Sequence, residues 1–207
     1  MVKIKVCGIT DLEDAKLAIG LGAHAIGFVF ARSPRQVSPE IARNITNKLP
    51  PFVQTVGVFV DEEMSKVRET IQFCSLDLVQ LHGNESAQDC YQLMPRALKA
   101  IRVKDRSSLS VVSQYHASVR AILLDTYSET LAGGTGRTFD WSIAVEAKRF
   151  GIPIVLSGGL NIENITAALD KVRPFAVDVG SGLEKRPGKK DPELLKEFID
   201  KVRSWGG

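Results

Sequence analysis

Long apolar runs are missing from this chain. No stretch could span a bilayer, and Lys3, Lys5 and Asp11 interrupt the start, so neither a membrane helix nor a secretory signal pattern is expected. Charge of one sign is also scarce. The 27 Lys and Arg against 24 Asp and Glu leave a formal net charge of +3, dispersed along the chain. That is too mild to argue for nucleic acid, though one basic patch could serve an anionic substrate. Cysteine is short too. Cys7, Cys74 and Cys90 are odd in number and show no metal-ligand spacing, which argues against a disulfide framework or a metal and for a reducing cytoplasm. Finally, no strand-like run leads into a dinucleotide fingerprint.

Apolar runs alternating with helical patterns fill the whole length instead. The first run, Ile4 and Val6, reads as a strand broken by Gly8. Thr10 with Glu13 three residues on predicts a capping box, and Gly20 and Gly22 end that helix. A second strand runs from Ala25 to Phe30. Ser38 then caps a helix with Pro39 at its first position, and Ile41, Ile45 and Leu49 form its inner face. A third strand covers Gln54 to Val60, followed by a helix capped by Asp61 with Met64, Val67 and Ile71 inward.

A fourth strand, Leu78 to Gly83, precedes a helix carrying Cys90, Leu93 and Met94. Cys74 and Cys90 read as packed thiols. Leu98 to Ile101 is a fifth strand, with a weaker helix around Leu109 and Val112. The sixth, Ala121 to Asp125, ends in a carboxylate and opens a long Gly-rich loop, Thr126 to Phe139; loops of that length are usually functional or disordered. Asp140 caps a helix to Phe150. Ile154 to Ser157 and Ala176 to Val179 are the seventh and eighth strands, with Asn161 capping the helix between them. Asp191-Pro192 starts a last helix with Leu195, Phe198 and Val202 inward.

Eight strand–helix units in 207 residues are about 26 residues each, and the strands are continuously apolar, as strands buried on both faces are. This predicts a single minimal (β/α)8 barrel over residues 1–207. An open doubly wound sheet is the rival, disfavoured by the even unit length and the missing fingerprint.

In such a barrel the carboxyl ends of all strands share one mouth. Cys7 and Asp125 would stand there as a thiol and a carboxyl suited to base and acid work, the thiol needing a positive neighbour to lower its pKa. Gly158 with Gly159, and Ser181 with Gly182, would form two adjacent turns whose backbone can approach a phosphate. Arg35, stiffened by Pro34, could grip a planar carboxylate. Gln80, His82 and Asp178 complete the strand-end polar set. Arg32 reads as a surface residue.

The motifs Lys-Val-Cys-Gly-Ile-Thr at 5–10, Gly-Phe-Val-Phe with Ser-Pro-Arg at 27–35, Gln-Leu-His-Gly at 80–83 and Leu-Leu-Asp at 123–125 continue through the chain. Gly-Gly-Thr-Gly with Phe-Asp-Trp follows at 133–141, then Leu-Ser-Gly-Gly-Leu at 156–160 and Val-Asp-Val-Gly-Ser-Gly-Leu-Glu at 177–184. Together they resemble the phosphoribosylanthranilate isomerase family of tryptophan biosynthesis, over the whole length. The resemblance implies an Amadori rearrangement with no metal or organic cofactor. It implies Asp125 as the acid that opens the furanose ring and Cys7 as the base at C2. Arg35 would sit on the anthranilate carboxylate and the two glycine turns on the phosphate. A cytoplasmic monomer or homodimer is expected. The rival histidine-pathway isomerase family has a carboxylate where this chain has Cys7. A barrel that only binds a phosphorylated ligand would need neither Cys7 nor Asp125.

Overall fold

The computed structural model describes residues 1–127 and 138–206. Eight parallel strands close a barrel: β1 (Lys3–Cys7), β2 (Ala25–Val29), β3 (Gln54–Phe59), β4 (Leu78–Leu81), β5 (Ala97–Val103), β6 (Ala121–Thr126), β7 (Ile154–Leu156) and β8 (Ala176–Val179). The closure is the pairing of β1 with β8, in register from Lys3 opposite Ala176 to Val6 opposite Val179. Around the barrel lie α1 (Leu12–Leu21), α2 (Pro39–Thr46), α3 (Met64–Cys74), α4 (Ala87–Tyr91), α5 (Trp141–Ala147), α6 (Ile165–Val172) and α7 (Pro192–Ser204). A 3-10 stretch, Arg106–Tyr115, takes the place of a helix between β5 and β6. No helix among the described residues is long and apolar enough to cross a membrane. Of the expected Gly-rich loop, residues 128–137 lie outside the described residues.

Strand alternation sorts the core into two regions. Val56, Leu98, Ala100, Ala121, Leu123, Val155 and Ala176 fill the barrel interior. The opposite strand faces pack on the helices, where Val67, Ile71, Leu195, Phe198 and Val202 are buried. Each such large side chain contributes roughly 1.5–3 kcal/mol on burial.

Several boundaries differ from the sequence expectation, each for a local reason. Asp11, not Thr10, caps α1 and accepts from the Asp14 N–H at 2.9 Å. Thr10 is instead drawn to the carbonyl of Gly188, which its hydroxyl reaches at 2.5 Å. Gly20 is a helical residue, and Gly22, at φ 111°, makes the C-cap. Asp61 caps no helix. It turns at φ 49° to hold the Asn84 N–H, and α3 begins after Glu63. Asn161 closes the turn before α6 by accepting from Glu163 and Asn164, and Asn164 is the N-cap. Ile41 and Met94 are partly exposed, and Ala42 takes the buried place on α2.

After β8 the chain adds an antiparallel hairpin the sequence did not announce, β9 (Glu184–Arg186) with β10 (Lys189–Lys190). It folds Glu184 and Lys190 back under the mouth.

Candidate active site

The period of two that puts Leu123, Val155 and Ala176 inside the barrel also points Asp125, Ser157 and Asp178 inward one pleat nearer the carboxyl rim. Lys5 and Cys7 on β1, and Gln80 with His82 at the end of β4, follow the same spacing. One cavity gathers Cys7, Arg35, Gln80, His82, Asp125, Gly158, Gly159, Asp178, Ser181 and Gly182, so every site residue expected from the sequence lines a single mouth.

The expected members do different jobs within it. Asp178 and Gln80 face the floor, where both hold Lys5: its ammonium lies 2.8 Å from Asp178 Oδ1 and 2.9 Å from Gln80 Oε1. Burial alone would lower the pKa of Lys5, but the Asp178 carboxylate and the neighbouring Cys7 outweigh it, and the ammonium is held charged. Ser157 donates to the other Asp178 oxygen at 3.3 Å.

Cys7 sits above this floor. Burial pushes its thiol up; Lys5 and then Lys190 pull the other way, and the net direction is upward. The lowered thiol expected from sequence is therefore not found, because desolvation and the Asp178 carboxylate together exceed the help from the two ammonium groups.

Across the mouth, Asp125 accepts from the Thr126 N–H at 2.9 Å, and its Oδ2 lies 3.2 Å from His82 Nε2. The turn bearing His82 is held from behind. Arg102 donates to the His82 carbonyl at 2.9 Å, and buried Lys99 bonds the Gly83 carbonyl at 2.7 Å while pairing with Glu85 at 2.8 Å.

Gly158 and Gly159 have φ 84° and 67°, a left-handed pair closed to most side chains. A Cβ on Gly158 would also stand 2.9 Å from Asp125 Oδ1. This turn lies beside the 3-10 turn Ser181–Leu183 after the adjacent strand β8.

Arg35 reaches the mouth by crossing Gly8, whose φ of 74° and missing Cβ leave room for its Cδ. Its Nε and Nη2 grip Glu184 at 2.8 and 2.7 Å. A bidentate pair on that edge leaves the Nη1/Nη2 edge for a second planar anion. Glu184 also takes Lys190, which is fully buried and donates to the Cys7 carbonyl at 2.7 Å and the Gly180 carbonyl at 3.1 Å.

Lys5, Glu184 and Lys190 were missed as site residues. Lys5 had a readable signal, a charge two residues before Cys7 on the same face of an apolar strand. Lys190 had none, since Lys189-Lys190 before a helix cap reads as solvated charge.

A closed parallel barrel with a thiol and a carboxyl facing one glycine-walled mouth defines the class as (β/α)8-barrel enzymes. Comparison with known proteins narrows the class. The family model for N-(5'-phosphoribosyl)anthranilate isomerase matches residues 4–201, and the chain belongs to that family of isomerases. The Pelobacter propionicus N-(5'-phosphoribosyl)anthranilate isomerase is 52% identical over 200 residues, covering 96% of this chain and 94% of its own. The Thermotoga maritima phosphoribosylanthranilate isomerase structure superposes with a TM-score of 0.91 at 45% identity, over 98% of this chain and 99% of its own. A Thermotoga structure with reduced 1-(o-carboxyphenylamino)-1-deoxyribulose 5-phosphate bound gives 0.88 at 44% identity, with the same coverage.

Proposed function

We propose that in this isomerase of tryptophan biosynthesis Asp125 is the general acid and Cys7 the general base of the Amadori rearrangement. The observation that carries the assignment is the pair itself: a thiol from β1 and a carboxyl from β6 line the same mouth. Asp125 protonates the furanose ring oxygen of N-(5'-phosphoribosyl)anthranilate, and the ring opens to an imine. Cys7, as thiolate, removes the C2 proton to give an enolamine, which tautomerises to the ketone. Burial raises the Cys7 thiol, so the ammonium groups of Lys5 and Lys190 act by limiting the cost of the thiolate rather than by storing it.

The substrate carries an anion at each end, as does the ligand of the Thermotoga complex. Arg35 would take the anthranilate carboxylate on its free edge. The Gly158-Gly159 and Ser181-Gly182 turns would take the phosphate. Gln80 and Asp178 act beneath the substrate, by holding Lys5. The enzyme works in the cytoplasm without a cofactor, as a monomer or a homodimer, and light scattering sorts those two.

The test separates acid from base. In a fluorescence assay following loss of freshly made substrate, Cys7→Ala and Asp125→Asn should each lower kcat by about 10²–10⁴-fold. Anomeric scrambling, which needs only ring opening and reclosure, should persist in Cys7→Ala and fall in Asp125→Asn. Scrambling at the wild-type rate in Asp125→Asn would move the acid role to another group.

A further inference from the structure

Lys5, Gln80, His82 and Asp125 form one continuous polar chain across the barrel, and its direction is fixed by groups that can only donate. The Lys5 ammonium has no acceptor. It spends one hydrogen on Gln80 Oε1 at 2.9 Å, which sets the orientation of the amide. Gln80 Nε2, again a donor only, is then left 3.0 Å from His82 Nδ1. That ring nitrogen must offer a lone pair. The hydrogen of the neutral imidazole therefore lies on Nε2. Nε2 is buried 3.2 Å from Asp125 Oδ2, but its N–H is off the line to that oxygen and has no other partner among the described residues.

We propose that Lys5 and Gln80 are positioning residues that hold His82 as the neutral, Nε2-protonated tautomer, a hydrogen-bond donor to a substrate oxygen beside Asp125. The substrate half of this rests on the acid role given to Asp125; the tautomer does not. A second proton on Nδ1 would set N–H against N–H at Gln80. Turning the amide to relieve that would set its NH2 against the Lys5 ammonium. Either move breaks the chain, so the charge of Lys5 reaches His82 as a choice of tautomer. His82 then supplies a hydrogen bond and leaves proton transfer to Asp125.

The test is nuclear magnetic resonance on protein labelled with 15N-histidine. The sequence has three histidines, and His24→Gln and His116→Gln variants assign the His82 signals. At neutral pH the long-range 1H–15N pattern of His82 should show a protonated Nε2 and a bare Nδ1. Gln80→Glu keeps the side-chain length and the Lys5 contact but faces Nδ1 with an acceptor. It should move the proton to Nδ1 and lower kcat by at least about tenfold. Because the wild-type tautomer is read without altering Gln80, the idea stays testable if Gln80→Glu does not fold. An Nδ1-protonated or doubly protonated His82 in the wild type overturns it, as does an unchanged tautomer in Gln80→Glu. An inverted tautomer with unchanged kcat overturns the substrate half alone. Loss of the acid role from Asp125→Asn would show separately, in the scrambling rates.

Discussion

A methyl group on Gly27 would stand 2.8 Å from the Cys7 sulfur and 3.0 Å from Lys5 Cε. The glycine opposite Cys7 on β2 is therefore spent on close approach, at a backbone any residue could adopt. Gly27→Ala should cost about 1–3 kcal/mol through overpacking and, by displacing the thiol, lower kcat on the order of 10²-fold. Urea unfolding and steady-state kinetics read the two effects, and an unchanged kcat would show that the sulfur has room to move.

The other two thiols matter to stability alone. Burial pushes both Cys74 and Cys90 up to about 11. An unfolded thiol ionises near 8.5, so both states are protonated below that and the stabilisation is whole. From there to about 11 only the unfolded chain loses its protons, and stability falls as pH rises. Unfolding free energy should drop less steeply between pH about 8.5 and 11 in Cys74→Ala/Cys90→Ala than in wild type. That Cys7, Asp125 and Arg35 share one mouth was legible in the sequence, because strand ends carry the first two and the loop after the second strand carries the third. The upward thiol at Cys7 was not, because desolvation depends on what covers a residue.

At the scale of elements, apolar runs located all eight barrel strands, and Ser38, Asp140 and Asp191 each cap their helix as read. Two of the three misplaced caps share a cause. Thr10 and Asp61 are good capping residues that a distant partner uses otherwise, Gly188 in one case and Asn84 in the other. Local preference cannot show such long-range demands. The hairpin after Leu183 is similarly set by partners far off in sequence, Lys190 bonding the Asp14 carboxylate through its N–H and the Cys7 carbonyl through its ammonium. One helix end is open to improvement. Exposed Ser75 closes α3 at φ 54°, a left-handed conformation that costs a side chain more than it costs glycine. Ser75→Gly should raise stability by about 0.5–1 kcal/mol, read as a higher urea midpoint, with kcat unchanged.

For the whole molecule the barrel was legible from repetition, but its fastening was not. Lys190 ties the last hairpin to the first strand, bonding the carbonyls of Cys7 and Gly180 and pairing with Glu184 at 2.9 Å. Glu184 in turn steadies Arg35, so a single buried ammonium supports the closure and both sides of the mouth. Lys190→Met should destabilise the fold by roughly 3–5 kcal/mol, since it strands polar groups that water cannot reach. Unfolding in urea measures that, and any folded fraction should bind substrate more weakly as Arg35 loosens. The same link has a consequence in time. The Cys7 carbonyl and its lysine lie 183 residues apart. A ribosome adding about 5–20 residues per second makes the thiol roughly 10–40 s before the residue that fastens it. A nascent chain carries this thiol bare through nearly all of its synthesis, and arrested chains that stop short of Lys190 should be alkylated at Cys7 far faster than released protein.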